Sequence, residues 1–165
     1  MDARSESVLR TVNPDLAARV RQGASELESQ GTYLLVVSGL RTAAEQDALY
    51  AQGRTAPGHI VTKARAGYSM HNYGLAVDVA PYLSGQTGPL NWKPETQQFK
   101  KMVSALKRQG LAWGGDWVNF PDPDHFQLKQ IPASPNAAMR ADYGDGSQSA
   151  LNAIWANVGM GKYSA

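Results

Sequence analysis

With no cysteine in the chain, metal binding and proton transfer fall to three histidines and fourteen acidic residues. Two segments gather them: Ser69-Met70-His71-Asn72-Tyr73-Gly74-Leu75-Ala76-Val77-Asp78, and Asp122-Pro123-Asp124-His125-Phe126. In the first, His71 falls in a turn and Asp78 on the small-residue face of the strand that follows, between Ala76 and Ala80. A carboxylate buried there is costly unless it is paired or bound to a cation. His71, Asp78 and a third ligand from a distant segment would leave the fourth position of a tetrahedral ion to water, the arrangement of catalytic zinc. Such an ion brings the pKa of its water to about 7 and polarises a carbonyl. A nearby carboxylate must then move the proton. Asp122 precedes His125 by one short bend at Pro123, so the two can face one centre. A plainer reading fits the same residues: a histidine satisfied in the core or at the surface, and an aspartate paired with arginine. No His-Glu-x-x-His helix decides between them.

Asn13-Pro14 has the form of an N-cap with proline in the first turn, and Leu16, Val20 and Leu27 recur at helical spacing up to Gly31. Residues 32–37 read as a buried strand. After a turn at Ser38-Gly39, Thr42-Ala43-Ala44-Glu45 forms a capping box for a helix running to about Gln52 and stopped by Gly53. Residues 53–69 are loop-like. Residues 73–80 alternate, with Leu75, Val77 and Val79 on one face and Gly74, Ala76, Asp78 and Ala80 on the other. A glycine- and proline-bearing turn spans residues 81–94. A helix with Phe99, Met102, Val103 and Leu106 on one side then ends at Gly110. Short extended pieces around Ala112-Trp113 and over residues 125–128 complete the sheet. Residues 132–148 read as a linker or wrapping arm. Leu151, Ile154, Trp155 and Val158 predict a short amphipathic helix docked on the core of its own domain. The expected fold is α+β, a small antiparallel sheet flanked by helices. It forms one domain over residues 1–165, with a core of about 8–130 and a C-terminal arm from 131.

The chain is 165 residues long, 42% hydrophobic and 18% charged, the profile of a globular domain with a real core. Its longest apolar run, Tyr33 to Val37, is strand-sized, so no membrane span is expected. A net charge of +2 with scattered basic residues argues against a nucleic-acid surface, while a slight positive excess suits approach to an anionic polymer. The polar start lacks the pattern of a secretory signal, so synthesis in the cytoplasm and later release are expected.

Ser-x-His-x-x-Gly-x-Ala-x-Asp followed by Asp-x-x-His resembles the signature of the zinc D-alanyl-D-alanine carboxypeptidase and L-alanyl-D-glutamate endopeptidase family, which shares its fold with the hedgehog signalling domain. Ser69, His71, Gly74, Ala76, Asp78, Asp122 and His125 meet each fixed position. The likeness extends to Ser38-Gly39-Leu40-Arg41-Thr42 with Glu45-Gln46, and to Trp113-Gly114-Gly115-Asp116-Trp117, over roughly residues 8–130. It implies His71, Asp78 and His125 as ligands of one zinc ion per chain, Asp122 as the catalytic base, and Arg41 beside the scissile carbonyl. An arginine aimed at the developing oxyanion would stabilise the transition state. The plainer role for Arg41 is an ion pair at a helix start.

Ser69, Gln46, Trp113, Asp116 and Trp117 are candidate substrate-binding residues, although tryptophans near a sheet edge are more often core. Asp116 is also a candidate support for a ligand histidine. His59 is expected to be peripheral. Asp116 and Asp124 are alternative bases, Asp124 pointing away from the side used by His125 if that stretch is extended. Tyr68 and Tyr73 stay undecided.

The resemblance, strongest to phage endolysins and related wall hydrolases, implies a peptidase that cuts the L-alanyl-D-glutamate bond of the peptidoglycan stem peptide once released to the cell wall; a monomer is expected, although the sequence does not reveal the oligomeric state. A D-alanyl-D-alanine carboxypeptidase is the alternative; it needs a cationic pocket, for which Lys63 and Arg65 are candidates. Alternatives of another class are a non-catalytic zinc-containing partner-binding module and a structural wall-binding protein.

Overall fold

Both helix starts written into the sequence are formed in the computed structural model, which describes residues 1–164. The Asn13 side chain accepts from the backbone N–H groups of Asp15 and Leu16, and Pro14 opens α2 (Pro14–Glu28). Thr42 and Glu45 form the reciprocal capping box of α3 (Ala43–Ala51), with Thr42 N donating to Glu45 Oε2 at 2.8 Å. Caps of this kind are worth about 1 kcal/mol each.

The chain divides into two compact units, Met1–Gly39 with Leu75–Lys129, and Leu40–Gly74 with Gln130–Ala165. The first holds α1 (Ala3–Leu9), α2, β1 (Leu34–Ser38), β2 (Ala76–Pro81), α4 (Gln97–Arg108), β3 (Leu111–Trp113) and β4 (His125–Leu128). Its four strands form an antiparallel sheet in the order β1-β2-β4-β3. Helix α4 packs on β2 and β3, α2 on α4, and α1 on β1. Leu16, Val20, Leu27, Phe99, Met102 and Leu106 are almost fully buried, as the helical spacing predicts. So are Val77 and Val79 of β2 and Phe126 and Leu128 of β4. The glycine at Gly23 lets α2 and α4 meet closely, since a Cβ there would stand 2.8 Å from Leu106 Cδ2.

The second unit holds α3, a 3₁₀ turn at Met70–Tyr73, α5 (Ala137–Tyr143) and α6 (Gln148–Gly159). Leu151, Ile154 and Val158 of α6 are buried as expected. Trp155 lies at the margin, its indole N–H donating to Tyr73 O at 2.7 Å.

Three elements differ from the expectation. Residues 32–37 are not all strand: Thr32 N donates to Leu27 O and finishes the helical turn, so β1 starts at Leu34. Residues 132–148 are not only a linker, for Asn136 caps α5 by accepting from Met139 N, and Met139 is buried. The polar start forms α1, where Asp2 caps the helix and the buried Ser5 hydroxyl accepts from Val36 N at 2.9 Å. Among the described residues no helix is long and apolar enough to cross a membrane.

Candidate metal centre

The register of β2 against β4 sets Asp78 directly opposite His125. In a strand pair such partners share a face, and residues two apart along a strand share it as well. One face of this sheet thus carries Asp78, His125 and Gln127, while Val77, Val79, Phe126 and Leu128 take the other. A bulge in β1 falls beside Asp78, where the pairing jumps from Val36–Val79 to Ser38–Asp78. Bulges concentrate where a side chain must be re-aimed.

His125 is 5% exposed and held on two sides. Its Nε2 lies 3.0 Å from Gln127 Oε1, and its Nδ1 lies 3.8 Å from Asp78 Oδ1. The Trp117 ring is tilted against the imidazole at 4.8 Å between centroids.

Asp122 is fixed through its main chain, where its N donates to Gly114 O at 3.0 Å and its O accepts from His125 N at 3.2 Å. Gly114 is buried in this corner, and a Cβ there would stand 2.5 Å from Asp122 O and 2.9 Å from His125 Cβ. Backbone cannot yield to such a contact, so Gly114→Ala is expected to cost roughly 1–3 kcal/mol through overpacking. A thermal melt should show the midpoint falling by several degrees. An unchanged midpoint would mean that the corner is pliable.

Asp124 departs from expectation. Residues 123–124 form a turn rather than extended chain, and Asp124 lies within hydrogen-bonding reach of Asp122 and in the field of Asp78. Burial first, then these two carboxylates, push its pKa up to about 7. Three carboxylates so grouped favour a bound cation, and with imidazole beside them the donor set suits zinc.

Asp116 is exposed and paired with Lys107, Nζ to Oδ2 at 2.6 Å, an engagement outside its expected roles. Trp113 donates its indole N–H to Pro123 O at 2.6 Å and so braces the turn before His125.

In the second unit, Ser69 caps the 3₁₀ turn by accepting from His71 N at 3.3 Å, and Gly74 closes it at φ 60°. The His71 carbonyl accepts from Arg41 N at 3.0 Å. Arg41 Nη1 donates to Gln46 Oε1 at 3.0 Å, and Gln46 Nε2 donates to Ala64 O at 2.8 Å. Gln46, expected to contact substrate, has no exposed surface. Facing inward from α3, it can hold the Arg41 guanidinium but has no surface to offer a ligand. His59 is exposed.

Of the three expected ligands, Asp78 and His125 face each other within the first unit, and His71 belongs to the second. Sequence reasoning missed Gln127, Gly114 and Asn72. Asn72 is 1% exposed and ties Arg41 O, Thr42 O and Gly67 N together. Asn72 lies inside the first signature segment and Gln127 one residue beyond the second, so a polar side chain there was the available signal; Gly114 offered only its place in the Trp113–Trp117 likeness.

A family model described as D-alanyl-D-alanine carboxypeptidase matches residues 62–128. The peptidoglycan L-alanyl-D-glutamate endopeptidase CwlK of Bacillus subtilis is 39% identical over 128 residues, covering 71% of this chain and 75% of the relative. The crystal structure of the Serratia marcescens L-Ala D-Glu endopeptidase ChiX superposes with a TM-score of 0.54 at 27% identity, covering 78% of this chain and 88% of that one. The vancomycin resistance D,D-pentapeptidase VanY, solved in complex with Zn(II), has a TM-score of 0.54 at 17% identity. That match covers 88% of this chain and 84% of the other, and shows the fold alone.

Proposed function

The chain belongs to the family of D-alanyl-D-alanine carboxypeptidases and L-alanyl-D-glutamate endopeptidases, and from that membership we propose that it is a zinc peptidase cutting the L-alanyl-D-glutamate bond of peptidoglycan stem peptides. The observation that carries the zinc is the pair Asp78 and His125, opposite each other on β2 and β4 with Oδ1 3.8 Å from Nδ1; the signature adds His71 as the third donor. The bond preference rests on the relative at 39% identity, named for that bond.

In this reading the three side chains hold one zinc, which supplies an acidified water and a polarised scissile carbonyl. Asp122 takes the proton of the attacking water and returns it to the leaving amine. Arg41, oriented by Gln46, stabilises the oxyanion. Ser69, Trp113, Asp116 and Trp117 are the candidates for the substrate side, with Trp117 also pressing on the ligand imidazole. The protein works at the cell wall, where its stem-peptide substrate lies, and as a monomer.

Digestion of purified peptidoglycan followed by identification of the new termini tests the specificity. New N-terminal D-glutamate is the expected product. Release of D-alanine alone would make the chain a carboxypeptidase, and binding without any cleavage would leave only a wall-binding module.

A further inference from the structure

Gln127 is 2% exposed on the ligand-bearing face of β4, two residues beyond His125. A primary amide is costly to bury unless its polar atoms are used. Its Oε1 lies 3.0 Å from His125 Nε2, and a carbonyl oxygen only accepts, so the imidazole proton must sit on Nε2. A neutral imidazole protonated there carries its lone pair on Nδ1. That atom faces Asp78, 3.8 Å from Oδ1. Two donors of a tetrahedral zinc with bonds of 2.0–2.2 Å lie roughly 3.3 Å apart, so a small closure of this pair completes the edge. Trp117 limits ring tilt from the side.

We propose that Gln127 is a positioning residue that locks His125 in the tautomer presenting Nδ1 to the metal. The inference rests on the zinc reading above. The amide is also suited by its neutrality: Asp78, Asp122 and Asp124 already crowd this corner. A neutral acceptor fixes the proton without adding a fourth charge.

Loss of such an outer partner typically weakens metal affinity 10–100-fold. Two variants separate positioning from packing. Gln127→Leu keeps the bulk and removes the acceptor; zinc affinity, read by competition with a chromophoric chelator, should fall about 10–100-fold while the apoprotein melts close to wild type. Gln127→Glu restores an acceptor and should hold zinc at least as well as the leucine variant does by tenfold or more. A packing role predicts the reverse, with leucine tolerated and the buried carboxylate harmful. That order would overturn the proposal.

Nitrogen-15 spectra of the wild type need no variant. Zinc-loaded protein should show His125 Nε2 protonated and Nδ1 bound to metal, whereas metal on Nε2 would refute the assignment. If the wild type takes up no zinc, the zinc reading fails. The same spectrum of the metal-free protein then still decides whether Gln127 holds the proton on Nε2.

Discussion

Asp122→Ala should lose 10²–10⁴-fold in peptidoglycan hydrolysis while keeping its zinc. The separation of the two effects follows from how Asp122 is held. Its position is set by main-chain bonds to Gly114 and His125, which survive truncation of the side chain. His125 therefore keeps its place, and only the proton acceptor is removed. Asp124 is the competing base, with a pKa near neutrality and a hydrogen bond to Asp122. Asp124→Asn measured alongside decides between them. A large loss at Asp124 with activity retained at Asp122 would reverse the assignment. Arg41→Ala belongs in the same series: it should lower turnover with zinc content intact, and loss of zinc or of folding would make Arg41 structural.

His71→Ala is the second large effect. Zinc content should drop from about one ion per chain to a small fraction, with hydrolysis abolished. Two remaining donors leave an ion with too few protein ligands to be retained. Removing zinc from the wild type with a chelator should reproduce the loss, and added zinc should restore activity. The same titration has a thermal readout, because a ligand bound only by the folded state at 1,000 times its Kd stabilises by about 4 kcal/mol. A variant that binds zinc normally and still cleaves would remove His71 from the set.

Local signals in the sequence were carried faithfully into the structure. The Asn13 cap, the Thr42 capping box, the apolar spacing of α4 and the alternation around Asp78 each depend on a few neighbouring residues. What went unread depends on distant ones. Helix α1 has little apolar period of its own and is held by Ser5 reaching Val36. Helix α5 is a single short piece, seven residues long, whose composition is that of a linker and whose anchor is the buried Met139. At the site, the motif named Asp78 and His125, yet only strand register makes them opposite. Gln46 was expected at the substrate and Gln127 drew no reading, because burial of an amide becomes affordable only when its partners arrive from elsewhere, Ala64 and Arg41 for one and His125 for the other.

That register also sets an order of events during folding. Asp78 and His125 belong to strands far apart in the chain, with α4 and β3 between them. Non-local pairings close late, after their loop entropy has been met. On the zinc reading, the nascent chain would therefore have no preformed grip on the ion, and capture would wait until β2 and β4 have paired. From then on, binding energy becomes folding energy. If the chain holds zinc as proposed, a cell short of the metal would accumulate a folded but loosely tied protein, which would gain both its chemistry and its resistance to unfolding in one step when metal arrives.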